Sequence, residues 1–125
     1  MNEPDKVLPE RMVRFYGSQI ILTLEYLHSN NIVYWDLKLE NILIDKDGYV
    51  KLVDFGLSKK IENNKQCKTM TGTNLYLSPE IVNNSNYDYS CDLWSFGVLV
   101  YIMSNGIPPF MGSNDYEIYN NILNQ

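Results

Sequence analysis

Asp36, Lys38, Glu40 and Asn41 stand together in the stretch NNIVYWDLKLENILI, residues 30–44, a short polar run held between β-branched pairs. An acid, a cation and an amide at that spacing suit the transfer of a phosphoryl group to a hydroxyl, a reaction that asks for little covalent chemistry from the protein. A carboxylate must orient the hydroxyl, a cation must meet the developing charge, and hard oxygens must hold divalent metal on the phosphates. Asp36 is the candidate proton acceptor, Lys38 the cation, and Asn41 with the later Asp54 the candidate magnesium ligands. D-x-K-x-x-N alone recurs in polar loops. Here a hairpin pattern leads from it to Asp54-Phe55-Gly56, and a long loop then closes on Gly72-Thr73, Tyr76 and Ser78-Pro79-Glu80.

The elements that must hold these groups are legible in the periodicity. From Pro9 to about His28, Met12, Tyr16, Ile20, Leu24 and Leu27 recur at steps of three and four, the period of an amphipathic helix, with Pro9 in its first turn and Ser29-Asn30-Asn31 at its end. His28, the only histidine, falls in the last turn, where a cation suits the helix dipole; capping or packing is the expected role. Ile32-Val33-Tyr34, Ile42-Leu43-Ile44 and Tyr49 to Val53 read as short strands, the last two joined by an Asp-Lys-Asp-Gly turn, which together make a small sheet of hairpins. Asp45-x-Asp47-Gly48 also resembles part of a calcium loop, but Leu43 and Lys51 occupy positions where oxygen ligands would be needed. Residues 57–78 are polar and aperiodic, a long loop of the kind that is usually functional. Asp92 to Met103 is apolar on nearly every face, as in a helix buried inside a larger body, and Asn105-Gly106-Ile107-Pro108-Pro109 stops it. A last helix starts near Asp115.

Composition narrows the classes of function. With 125 residues, 45% hydrophobic and 20% charged, the chain has the balance of one globular domain. A formal net charge of −5 argues against a sequence-independent nucleic-acid binder, which needs a basic stripe. Lys59, Lys60, Lys65 and Lys68 cluster, but in a polar loop they read as a solvated segment. Cys67 and Cys91 have neither CxxC spacing nor histidine partners, so neither a zinc site nor a disulfide framework is expected, and a reduced intracellular, cytoplasmic setting is the simpler reading. No secretory signal and no run long enough to span a bilayer is present.

The order and spacing of YWDLKLEN, DFG, GTNLYLSPE and DLWSFGVLVYIM resemble the eukaryotic protein kinase family along nearly the whole chain. The resemblance implies an α+β, mainly helical fold, the central part of a kinase large lobe, with a small hairpin sheet carrying the catalytic and magnesium loops. It implies one partial kinase domain over residues 1–125, with ATP and Mg2+ as cofactors and protein substrates as partners. By the same resemblance Asp36, Lys38, Asn41 and Thr73 are catalytic. Lys38, Glu40, Asn41 and Asp54 belong to the nucleotide site, with Asn41 and Asp54 on metal. Phe55, Gly56, Glu80 and Asp92 are structural. Lys38 with Thr73 marks the serine/threonine class, and RFYGSQIILTLEYLHSNNIVY with YLSPE is most similar to the AGC group. Thr69 then falls on the activating phosphorylation position, served by an upstream kinase, with Thr71 as the alternative, and Met70, Asn74 and Leu77 line the pocket for the residue after the target hydroxyl.

The chain also departs from that pattern. Ile102 and Leu75 replace acidic contacts to basic substrates, leaving Glu40 alone. Trp35 stands where the family usually has the Arg that grips the activation-loop phosphate. It either weakens phosphate-driven ordering, with Lys59 as the surviving contact, or simply packs beside the catalytic loop. No Gly-rich phosphate loop or ATP-anchoring Lys precedes Asp36 within these residues, and Glu80, expected as a buried carboxylate, lacks the Arg that should pair with it. The expectation is a kinase segment inactive by itself, whether truncated, decayed or a functional small protein. The alternative is a pseudokinase-like binding module.

Overall fold

The computed structural model describes residues 7–53, 59–60, 74–85 and 88–125. The first long element is α1, Glu10–Ser29, with Pro9 at its N-cap, one position before the first turn. Its buried line is Val13, Gly17, Ile20, Leu24 and Leu27, so the stripe holds at its C-terminal end and shifts by one residue at its start, where Met12 and Tyr16 are half-buried. The line packs on α3, Ser90–Asn105, and the two helices share a core with Tyr34, Leu37, Tyr76, Val98, Leu99 and Met103.

Between them runs the chain that carries the polar cluster. β1 is only Ile32–Val33, and it pairs antiparallel with β4, Lys59–Lys60, with Ile32 opposite Lys60. β2, Ile42–Ile44, pairs with β3, Val50–Leu52, as a separate hairpin. The expected single sheet is therefore two two-stranded ladders, and part of the expected loop after residue 57 is a strand. The reason lies in backbone hydrogen bonding. Tyr34 cannot continue β1 because its N–H donates to the Asp92 carboxylate at 2.8 Å. At the hairpin tip Asp45 Oδ1 accepts the N–H groups of Asp47 and Tyr49, both at 2.9 Å, and Gly48 takes φ +86°, so the turn works as the sequence suggests. Gln19 of α1 moors this hairpin: its Oε1 accepts the Val50 N–H at 2.8 Å.

A 3₁₀ turn at Asn74–Tyr76 and the short α2, Pro79–Val82, follow. The end of α3 is set by Gly106, at φ +77°, whose N–H donates to the Ile102 carbonyl at 2.7 Å, a left-handed stop that costs a glycine little. One face of α3 lies open. Leu93, Gly97 and Tyr101 border a shallow apolar groove of about 360 Å³, closed on its far side by Pro109 and Phe110, whose ring stacks on Trp94. The helix is thus half-sheathed among the described residues, where the sequence suggested burial on nearly every face. Last comes α4, Asp115–Asn124. Asn114 caps it by accepting the Glu117 N–H, and Glu117 in return accepts the N–H and hydroxyl of Ser113, bonds that hold its carboxyl below the usual carboxylate range.

Candidate active site

The polar cluster sits on the chain between β1 and β2, and one residue of α3 fixes it there. Asp92 is 1% exposed. Its Oδ2 accepts from His28 Nε2 and from the Tyr34 N–H, both at 2.8 Å, and its Oδ1 accepts the Trp35 N–H at 2.9 Å. A buried carboxylate is stable only when its lone pairs are met, and here three donors from two segments meet them. Trp35 is held at φ +76°, a region bulky residues adopt only when their surroundings enforce it. That backbone reversal delivers Asp36 to the next position.

Asp36 and Asn41 are both buried, and their side chains face one another. Asn41 Nδ2 donates to the Asp36 carbonyl at 2.8 Å and to Asp36 Oδ2 at 3.1 Å. With its amide hydrogens directed at Asp36, Asn41 offers its carbonyl oxygen for any cation, which is the donor type magnesium takes. Lys38 Nζ stands 3.6 Å from Asp36 Oδ1. The 3₁₀ turn Leu39–Asn41 carries Glu40 outward, where it is exposed. Two of the expected site residues, Lys38 and Asn41, are thus gathered around the carboxylate of a third.

The approach to the second candidate metal ligand is also tied to this loop. Val53 donates its N–H to the Asn41 carbonyl at 3.0 Å and accepts the Tyr34 hydroxyl at its own carbonyl. Asp54, Phe55, Gly56, Thr69, Met70, Thr71 and Thr73 lie outside the described residues. Among the described residues no group of three or more His, Cys, Asp and Glu assembles as a metal site. Magnesium held partly by substrate phosphates needs only one or two protein oxygens, so the Asn41 side-chain oxygen Oδ1 fits that demand.

On the far side of Asp36 lies the segment Asn74–Val82. Tyr76 Oη accepts the Leu39 N–H at 3.3 Å, and burial pushes its phenol pKa up against that hydrogen bond. Ser95 Oγ, on α3, donates to the Tyr76 carbonyl at 2.8 Å, sharing its proton with the Cys91 carbonyl at 3.1 Å. Leu77 is 5% exposed and sits in a second apolar cluster with Val33, Trp35, Ile81 and Cys91. Leu77 therefore spends its side chain on the interior, and Trp35, also 5% exposed, packs beside the loop that carries Asp36. Leu75 and Ile102 both lie partly buried against the main core. Glu80 is half-buried in the first turn of α2, less enclosed than expected, because the described chain leaves that side open.

Four contributors escaped the sequence reading: His28 as a partner of Asp92, Tyr34 through its hydroxyl, and Tyr76 and Ser95 as the ties of the following segment. For His28 a signal existed, since the one histidine closes the helix just before the loop.

Comparison with known proteins agrees with this arrangement. The family model described as "Protein kinase domain" matches residues 1–125. The cAMP-dependent protein kinase catalytic subunit of Schizosaccharomyces pombe is 46% identical over 115 residues, 92% of this chain and 22% of that protein. Protein kinase C-like 1 of Caenorhabditis elegans is 46% identical over 122 residues, 96% of this chain and 17% of that one. Human serine/threonine-protein kinase Sgk1 is 49% identical over 117 residues, 93% of this chain and 27% of that one. The chain therefore spans less than a third of the length of these relatives. A mainly helical body with short antiparallel ladders, a loop pinned to α3 and a match along its full length agree on one conclusion: the chain belongs to the protein kinase domain family, as part of its large lobe.

Proposed function

We propose that this chain carries the catalytic loop of a serine/threonine protein kinase that phosphorylates hydroxyls of protein substrates. The observation that supports this most is the grouping of Asn41 and Lys38 around the Asp36 carboxylate, at 3.1 Å and 3.6 Å. ATP with Mg2+ would supply the transferable phosphoryl group and the divalent charge, with Asn41 and Asp54 as its ligands. Asp36, held in place by Asn41, orients the substrate hydroxyl and accepts its proton. Lys38 offers positive charge where negative charge develops, and Thr73 completes the serine/threonine set. Thr69, or Thr71, is the proposed phosphorylation position for an upstream kinase, and Met70 and Asn74 frame the residue after the target, while Leu77 packs inward beside Trp35. With Leu75 and Ile102 apolar, Glu40 is the remaining acidic contact, so the preference for basic substrates is weaker than in acidic-walled relatives. The 125-residue polypeptide by itself has no phosphate cradle in its sequence and is expected to show no turnover.

The test is a chimera in which residues 7–125 replace the matching segment of a related kinase, assayed with labelled ATP and magnesium. Turnover that falls by about 10²-fold or more on Asp36→Asn is the expected result. A folded chimera whose rate ignores that substitution overturns the reading.

A further inference from the structure

The segment Asn74–Val82 must keep register with Asp36 if it is to present a substrate, and several contacts join the two. One is the 3.3 Å contact from the Leu39 N–H to Tyr76 Oη, which is long for a hydrogen bond. Others are the packing of Tyr76 with Leu37 in the main core and the apolar cluster built on Trp35. Its ring is buried against Leu77 and Ile81 of the segment and against Val33 and Cys91 of the loop strand and of α3. Its backbone cannot drift, because Asp92 Oδ1 accepts its N–H and φ is fixed at +76°. The indole is thus immobile at its base and enclosed at its tip, immediately before Asp36.

We propose that Trp35 is a positioning residue: its buried indole clamps residues 77–81 against the catalytic loop by apolar contact, so that the register needs no anion. This rests on the kinase reading for its consequence, but the clamp itself is a physical claim about this chain. At low millimolar concentration, too dilute to alter apolar burial, added phosphate leaves an apolar contact unchanged, whereas a segment seated by a cation and a phosphate gains protection from it. Guanidinium in the place of the indole would have to desolvate among Leu77, Ile81 and Cys91, so this enclosure suits indole better than Arg.

Site-resolved hydrogen exchange of the full 125-residue chain tests the clamp. The reporters are the amides of Ile81, Val82 and Asn83, which donate to the carbonyls of Ser78, Ser78 and Pro79, with the α1 amide of Leu24 as internal reference. In Trp35→Ala and Leu77→Ala the reporters should exchange about tenfold faster or more while Leu24 changes little. Trp35→Phe should restore most of the protection. Alkylation of Cys91, resolved from Cys67 by peptide mapping, should accelerate in parallel with the reporters. Inorganic phosphate at low millimolar concentration, matched in ionic strength with sodium chloride, should leave the native reporters unchanged. Should Trp35→Ala fail to fold, the Leu77→Ala and Trp35→Phe chains decide the matter. Unchanged reporters, equal acceleration at Leu24, or native protection that rises with phosphate would each overturn the proposal. None of these outcomes depends on turnover, so the role of Asp36 stands or falls separately in the chimera.

Discussion

Replacing Asp92 by Asn changes one atom of a side chain that is 1% exposed, and its effect can be worked out bond by bond. The amide keeps one acceptor oxygen. Placed at the Oδ2 position, that oxygen retains His28 Nε2 and the Tyr34 N–H, and the new NH2 then faces the Trp35 N–H, donor against donor. The lost charge-assisted bond is worth about 1.5 to 3 kcal/mol, and an unmet buried amide adds about 1 to 3 kcal/mol. Against this, a neutral amide is easier to bury than a carboxylate, which returns part of the sum. The net expectation is a loss of about 2 to 4 kcal/mol, a large share of the 5 to 15 kcal/mol typical of a domain. Asp92→Ala, which removes all three acceptor contacts, should cost more, and His28→Ala, which removes one at the rim of the site, should cost about 1 to 2 kcal/mol. Urea unfolding of the purified chain, followed by circular dichroism at pH 7, measures all three. An Asp92→Asn midpoint within error of the native one, with an unchanged slope, would refute the view that this carboxylate holds the loop.

Ser78 is 0% exposed and its hydroxyl has no partner among the described residues, so Ser78→Ala should stabilise the chain by about 1 kcal/mol; a loss in thermal unfolding would show that the hydroxyl is satisfied. Burial raises the Cys91 thiol and Tyr76 phenol pKa values, so the native state keeps both protons after the unfolded chain has released them. Stability is therefore fully present below about pH 9 and should fall above it, by at most about 1.4 kcal/mol per pH unit for each group, and Cys91→Ala should flatten the first part of that slope in urea titrations. Gln19→Met removes the acceptor for the Val50 N–H, and exchange at Val50 should quicken by about fivefold, equivalent to about 1 kcal/mol, with Leu24 unaffected.

The helices and the hairpin were legible because their signals are local. Ile20, Leu24 and Leu27 mark one face of α1 within two turns, Asp45 to Gly48 encode their own reversal, and Gly106 ends α3. Asp36, Lys38 and Asn41 could be grouped for the same reason, since six consecutive residues contain them. What could not be read depends on meetings between distant segments. The pairing of Ile32 with Lys60 carries no periodic signature in a two-residue strand. The burial of Trp35 requires Leu77 and Ile81 to arrive, and nothing in YWD announces them. Asp92 reads as structural by resemblance, but its pairing with three partners, which lie in α1 and in the loop after β1, carries no sequence mark.

The sequence separation in that last arrangement has a consequence for the chain as it is made. Tyr34 leaves the ribosome 58 residues ahead of Asp92, which at typical elongation rates of about 5 to 20 residues per second is a wait of about 3 to 12 seconds. Throughout that interval α1 and the β2–β3 hairpin can form from local contacts, but the two amides before Asp36 have only water in place of the Asp92 carboxylate, and Trp35 lacks Leu77, Ile81 and Cys91 around it. The nascent chain therefore displays an apolar indole beside a loop without fixed shape until α3 emerges. Chaperone capture should concentrate in this window, and a synonymous change that slows translation between codons 36 and 92 should lengthen it without altering a single residue of the finished protein.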